Sequence, residues 1–204
     1  LHDDGGAYHG CLGVAVDDIA GGDEAAWEEA VAKLKKRFRF RKWAIGQWKF
    51  CGREVKQLED GSIQVGQPTY AKHLDFVKVR GKDPEEEATA EERSAMRSVL
   101  GALSFLARES RPDLSGPTSI LQGRTNKAKI ADAKEVNRVV RQAKGDADLT
   151  LLVSSIKPEE IAVITYGDAS LANADKDSSQ AGHIVMMTER RVLEGVAAKT
   201  SMMS

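Results

Sequence analysis

Two adjacent carboxylates, Asp17 and Asp18, interrupt the stretch Val14-Ala-Val-Asp-Asp-Ile-Ala-Gly-Gly22. Short runs of small apolar residues flank them, and a glycine pair follows. A third carboxylate, Asp168, directly follows the run Ile161-Ala-Val-Ile-Thr-Tyr-Gly167. Phosphoryl transfer with two divalent ions needs carboxylates that place the ions about 3.5–4 Å apart. Magnesium is hard, prefers oxygen donors and takes few protein carboxylates beside water and substrate phosphates. Adjacent aspartates at a hairpin tip would offer two such donors on a stiff support, and an Asp at the end of a buried strand would offer another. The competing reading of all three is structural, since Asp also serves turns and helix N-termini.

The second chemical feature is charge. The net charge of the 204 residues is -1. Between Val31 and Asp60, however, ten Lys and Arg (Lys33, Lys35, Lys36, Arg37, Arg39, Arg41, Lys42, Lys49, Arg53 and Lys56) face only three acids, for a net +7. Such a block is the footprint of a phosphate-rich partner or, alternatively, a solvated helix face. Residues 83–92 are the reverse, rich in Asp and Glu. No Ser/His/Asp arrangement, phosphate-binding glycine loop or zinc spacing stands out. Cys11 and Cys51 read as small buried hydrophobes, and two cysteines make no disulfide framework.

The elements that must position these residues follow from periodicity. Gly10–Val16 reads as a strand, Ile19-Ala20 as the start of its return, and the two Asp as the hairpin tip. Asp23 can cap a helix whose apolar face is Trp27, Val31, Leu34 and Phe38 and whose other face carries much of the basic block. Phe50–Leu58 and Ser62–Gln67 read as strands joined by Glu59-Asp60-Gly61. Pro68 suits the first turn of a helix carrying Tyr70, Leu74 and Val77. Residues 80–92 read as a charged linker or mobile loop. Met96, Val99, Leu100, Leu103 and Leu106 mark a helix, and Arg111-Pro112-Asp113-Leu114 ends it or starts the next, since proline disfavours helix at the residue before it. Ile130, Ala133, Val136, Val140 and Ala143 mark another, stopped near Gly145. Leu149–Val153 and Ile161–Tyr166 read as strands, the latter covered on both faces because it is nearly unbroken in apolar residues. Ala181–Thr188 and Arg191–Ala198 are expected to add two more.

Composition, with 41% hydrophobic and 30% charged residues, fits a globular chain of one large or two small domains. No apolar run is long enough to span a membrane and no signal peptide is visible, so an intracellular, non-secreted protein without membrane contact is expected. The chain starts with Leu and ends Lys-Thr-Ser-Met-Met-Ser, which reads as a fragment.

The order of these pieces resembles the reverse transcriptase region of copia-type LTR retrotransposon Pol polyproteins, running into the start of ribonuclease H. VAVDDIAGG is similar to the family's Tyr-Val-Asp-Asp motif. KLKKRFRF, the stretch from Ile45-Gly46 to Phe50-Cys-Gly-Arg-Glu-Val55, and GSIQVGQPTYAKHL resemble its helix, hairpin and following series. RSVLGALSFLARESRPDL resembles its helix ending in Arg-Pro-Asp, and ITYGDASLANADKDSSQAGHIV its ribonuclease H opening. The resemblance implies an α+β fold: the C-terminal part of a reverse transcriptase palm with its Asp-Asp hairpin (1–79), a charged linker (80–92), a helical thumb or connection (93–148) and an incomplete ribonuclease H-like sheet (149–204). It implies that Asp17 and Asp18 are catalytic ligands of the polymerase magnesium site and Asp168 the first acid of the ribonuclease H site. Lys33, Lys35, Lys36, Arg37, Arg39, Arg41 and Lys42 would face an RNA/DNA template–primer, with dNTP as the second substrate. Three departures accompany it. Ala15 stands where the family has Tyr, and His183 replaces a Tyr after Gly182. The third polymerase aspartate and the remaining ribonuclease H acids belong to segments outside these residues. The chain is therefore expected not to polymerise by itself. The alternatives are a decayed or domesticated nucleic-acid-binding module, and an unrelated α+β domain.

Overall fold

The structure is a computed structural model and describes residues 11–15, 18–22, 25–174 and 178–202. It is a mixed α+β chain that divides into two compact units, residues 1–56 and 57–204.

In the first unit, β1 (Cys11–Ala15) pairs antiparallel with β2 (Asp18–Gly22), with Ala15 opposite Asp18 and Val14 opposite Ile19. The hairpin expected from the sequence is present, but its return strand opens at Asp18 rather than at Ile19. Helix α1 spans Ala25–Arg37. Glu28 near its start and Lys35, Lys36 and Arg37 in its last turn complement the helix dipole. Phe38 falls just beyond the helix and is 56% exposed, so the apolar stripe ends one turn earlier than its spacing suggested. Strands β3 (Gln47–Phe50) and β4 (Arg53–Gln57) form a tight hairpin with Phe50 opposite Arg53. The single strand expected over Phe50–Leu58 is thus broken by Cys51-Gly52. Both turn residues have positive φ, 48° and 77°, the combination a type I′ turn requires. The turn also leaves Cys51 exposed, correcting its reading as a buried hydrophobe.

The second unit is built on helices. β5 (Ile63–Gly66) pairs antiparallel with β6 (Leu151–Val153), which brings together the chain entering and leaving the helical region. Between them lie α2 (Pro68–Lys72), α3 (Ala90–Glu109), α4 (Ser115–Arg124) and α5 (Ile130–Gly145). Met96, Leu100, Leu103 and Leu106 of α3 and Ala133, Val136 and Val140 of α5 are fully buried, as one face of each helix should be. Helix α2 is only five residues long, so Leu74 and Val77 join the core from beyond it. Asn137 fixes Val77 there: its Oδ1 accepts the Val77 N–H at 2.8 Å and its Nδ2 donates to the Val77 carbonyl at 2.8 Å. One amide thereby satisfies both backbone groups of a buried residue.

The charged stretch 80–92 has little regular structure, yet it is tied to the helices. Ala88 is 1% exposed. Its N–H donates to the Ala128 carbonyl at 2.9 Å, and the Ile130 N–H donates to Glu86 O at 2.9 Å. A Cβ on Gly81 would come within 2.7 Å of Ile130 Cγ1, so only glycine permits the approach. Thr89 and Glu92 close a capping box at the start of α3.

The remaining sheet runs β7 (Ile161–Ala174), β8 (Ser178–Glu189) and β9 (Thr200–Met202), antiparallel throughout. The strand expected over Arg191–Ala198 is instead a 3₁₀ turn at Arg190–Glu194 closed by Gly195 at φ 76°. Strand β7 is not covered on both faces: Val163 and Tyr166 are each 59% exposed. Apolar continuity here reflects β propensity, not two-sided burial.

Candidate functional site

Asp18 occupies the first position of β2, and Asp17 lies outside the described residues. Asp168 was expected at the C-terminal end of a buried strand. It lies instead in the middle of the fourteen-residue β7, exposed, opposite Gly182. Its Oδ1 accepts the N–H of its own neighbour Ala169 at 2.9 Å. Among the described residues, no group of three or more His, Cys, Asp or Glu is placed to hold a metal ion. Asp18 and Asp168 belong to different compact units. Their chemistry suits magnesium as hard oxygen donors, but the described carboxylates do not assemble a site.

The structure does bring the basic residues together with aromatic ones. In α1, Lys33 bonds Glu29 at 2.8 Å across one helical turn, both side chains about three-quarters exposed. Lys33 holds the Glu29 carboxyl below its usual range through that hydrogen bond and through charge. Such exposed pairs contribute little to stability, because water screens them. The Phe38 N–H donates to Leu34 O at 2.8 Å and closes the helix. The chain then runs irregularly to Gly46, where φ of 75° turns it into β3.

Within 38–46 the Trp43 ring is held from two sides. Lys35 Nζ sits 4.1 Å from its centroid, a cation–π contact that folds the segment back on the end of α1. Phe40 meets it edge-on, with centroids 5.5 Å apart and planes at 78°. Lys36, Arg37, Arg39, Arg41 and Lys42 are exposed, and among the described residues none of them has a carboxylate partner. Lys49 of β3 is answered by Glu54, directly opposite on β4 and 3.7 Å away. Uncompensated positive charge is therefore concentrated at the end of α1 and in the segment after it. That surface can bind phosphates without reading sequence.

The Arg111-Pro112-Asp113 stretch has a structural task that its spacing did not reveal. Arg111 is 2% exposed. Its Nε and Nη2 donate to the two Asp113 oxygens, each at 2.8 Å, and its Nη1 donates to the Asp146 carbonyl at 2.7 Å. Asp146 caps the C-terminus of α5, so one guanidinium fastens the α3–α4 turn to the end of α5. Pro112 opens the 3₁₀ turn between them, where its missing N–H costs nothing.

No helix among the described residues is long and apolar enough to cross a membrane. No protein-family model, curated protein or solved structure matches the chain.

Proposed function

We propose that this chain is part of the RNA-directed DNA polymerase of a retrotransposon, comprising the end of the palm, a helical thumb or connection and the start of a ribonuclease H-like sheet. The observation that carries the reading is local order in the first unit. An antiparallel hairpin with Asp18 at its return is followed directly by a helix whose end and trailing segment expose unneutralised Lys and Arg. A polymerase needs carboxylates on a stiff turn and phosphate-binding cations nearby.

In the intact protein, Asp17 and Asp18 contribute carboxylates to a magnesium site, and Asp168 contributes one to a second. Magnesium, when held, supplies positive charge against the charge that develops on phosphoryl oxygens. Lys33 to Lys42 hold template–primer phosphates, and dNTP is the second substrate. This chain alone does not polymerise, because the family's third aspartate belongs to an earlier segment. A second reading, a non-catalytic nucleic-acid-binding module of the same ancestry, is favoured by Ala15 in place of the family's Tyr. It keeps the basic surface and gives up the metal sites.

The test has two parts. The reading frame around the coding sequence should carry an Asp-bearing motif before Leu1 and further acids after Ser204. Stop codons at those places sink the polymerase reading and leave the binding module. The purified chain should show no magnesium-dependent primer extension on an RNA template, and robust extension would overturn its dependence on further segments.

A further inference from the structure

The segment Phe38-Arg-Phe-Arg-Lys-Trp43 alternates rings with cations. Phe38 is 56% exposed, Trp43 39% and Ile45 86%. Single exposed apolar side chains are ordinary, but three within eight residues, set among unpaired cations, need a reason. Phosphate binding alone does not supply one, because a duplex keeps its bases stacked inside and offers nothing to an exposed ring.

We propose that Trp43 and Phe38 form a stacking platform for unpaired bases, so that this segment takes single-stranded nucleic acid. The proposal rests on the reading of the basic run as a nucleic-acid surface and names the form of its ligand. The Lys35 ammonium and the T-shaped contact with Phe40 fix the Trp43 ring before any ligand arrives. A ring already fixed loses little freedom when a base stacks on it. Lys36 and Arg37 precede Phe38, and Arg39, Arg41 and Lys42 lie between the two rings, as a strand needs if its bases stack while its phosphates pair with cations. Every base has a flat π face, so the platform tolerates any sequence.

An anionic membrane surface is the competing partner, since it also attracts cations and aromatic rings. Membrane-surface segments separate the two, with apolar residues on one face and Lys and Arg on the other. Here the rings and cations lie in a segment that is not helical, unlike a membrane-surface helix, which favours a nucleic-acid strand over a bilayer.

The test compares three probes by fluorescence anisotropy on the whole chain: a short oligothymidylate, an abasic strand of equal length and a hybrid duplex. The wild-type chain should bind the oligothymidylate about tenfold more tightly than the abasic strand, the scale of one stacked base. Trp43→Leu should bring that ratio toward one, Trp43→Phe should keep most of it, and Phe38→Leu should lower it. Arg39→Gln should weaken both strands alike and reduce the salt slope by about 0.7, one phosphate's share on a single strand. Equal, salt-dependent binding of the oligothymidylate and the abasic strand would overturn the platform and leave the nucleic-acid surface standing. Failure to bind any of the three, together with binding to phosphatidylserine vesicles, would overturn both.

Discussion

Glu92 accepts the Arg80 N–H at 2.8 Å and the Thr89 N–H at 2.9 Å, and the Thr89 hydroxyl accepts the Glu92 N–H at 3.2 Å. The bond from Arg80 and then that from Thr89 hold its carboxyl below the usual range. In the unfolded chain the group titrates at the ordinary glutamate value. Its stabilisation is therefore whole above that pH and is lost as pH falls through the lower folded value. Glu92→Gln should cost about 1 kcal/mol at neutral pH, and the difference should shrink in acid below that window. Urea titrations at several pH values check this, and a pH-independent difference would show that packing, not charge, is the cause. Arg111 is the other side chain that binds distant segments. Arg111→Ala leaves the Asp146 carbonyl and Asp113 without their donor and should cost about 3 kcal/mol, measured the same way. The sequence showed Arg111-Pro112 as a helix boundary, the end of one or the start of the next, because proline acts locally. It could not show the Asp146 contact, which spans thirty-five residues.

At the scale of elements, legibility followed burial. The stripes of α3 and α5 repeat with helical spacing because one face of each meets the core, and those positions are buried. The Asp18-bearing hairpin was visible for a different reason: apolar alternation stops at the aspartates. Three elements were hidden. Cys51-Gly52 lacks the Asn-Gly or Asp-Gly signature of a tight turn, so β3 and β4 read as one strand. The chain leaves helix at His73, and Leu74 and Val77 keep a helical spacing without a helix. In β7, the run from Ile161 to Tyr166 looks like an interior strand although its faces are largely exposed, and this also displaced Asp168 from a strand end to a strand middle. Native-state hydrogen exchange should separate these elements. Amides of Met96–Leu106 and Val136–Val140 should exchange slowest. Those of Thr165–Ser170 in β7 and Gln180–Ile184 in β8 should open well before global unfolding, since an uncovered two-stranded ribbon is marginal in water. Equal protection of both sets would mean that the ribbon is covered.

At the scale of the whole molecule, a net charge of -1 conceals a basic block, net +7 between Val31 and Asp60. The charge map was legible, because exposed Lys and Arg need no tertiary partner to be recognised. The geometry that makes it a surface was not: the cation–π contact of Lys35 with Trp43 appears only once α1 ends and the chain folds back. The acidic residues tell the opposite story, for Asp18 and Asp168 are recognisable as chemistry in sequence yet reside in separate units. The proposed nucleic-acid function stands or falls on the basic run, and the direct measurement is binding of an RNA–DNA hybrid primer–template to the purified chain across a salt series. Affinity should fall linearly with the logarithm of salt, with a slope near -0.9 per phosphate contacted, and the triple substitution Arg39→Gln, Arg41→Gln, Lys42→Gln should flatten that slope. Binding that ignores salt, or no binding at about 50 mM salt, would contradict it.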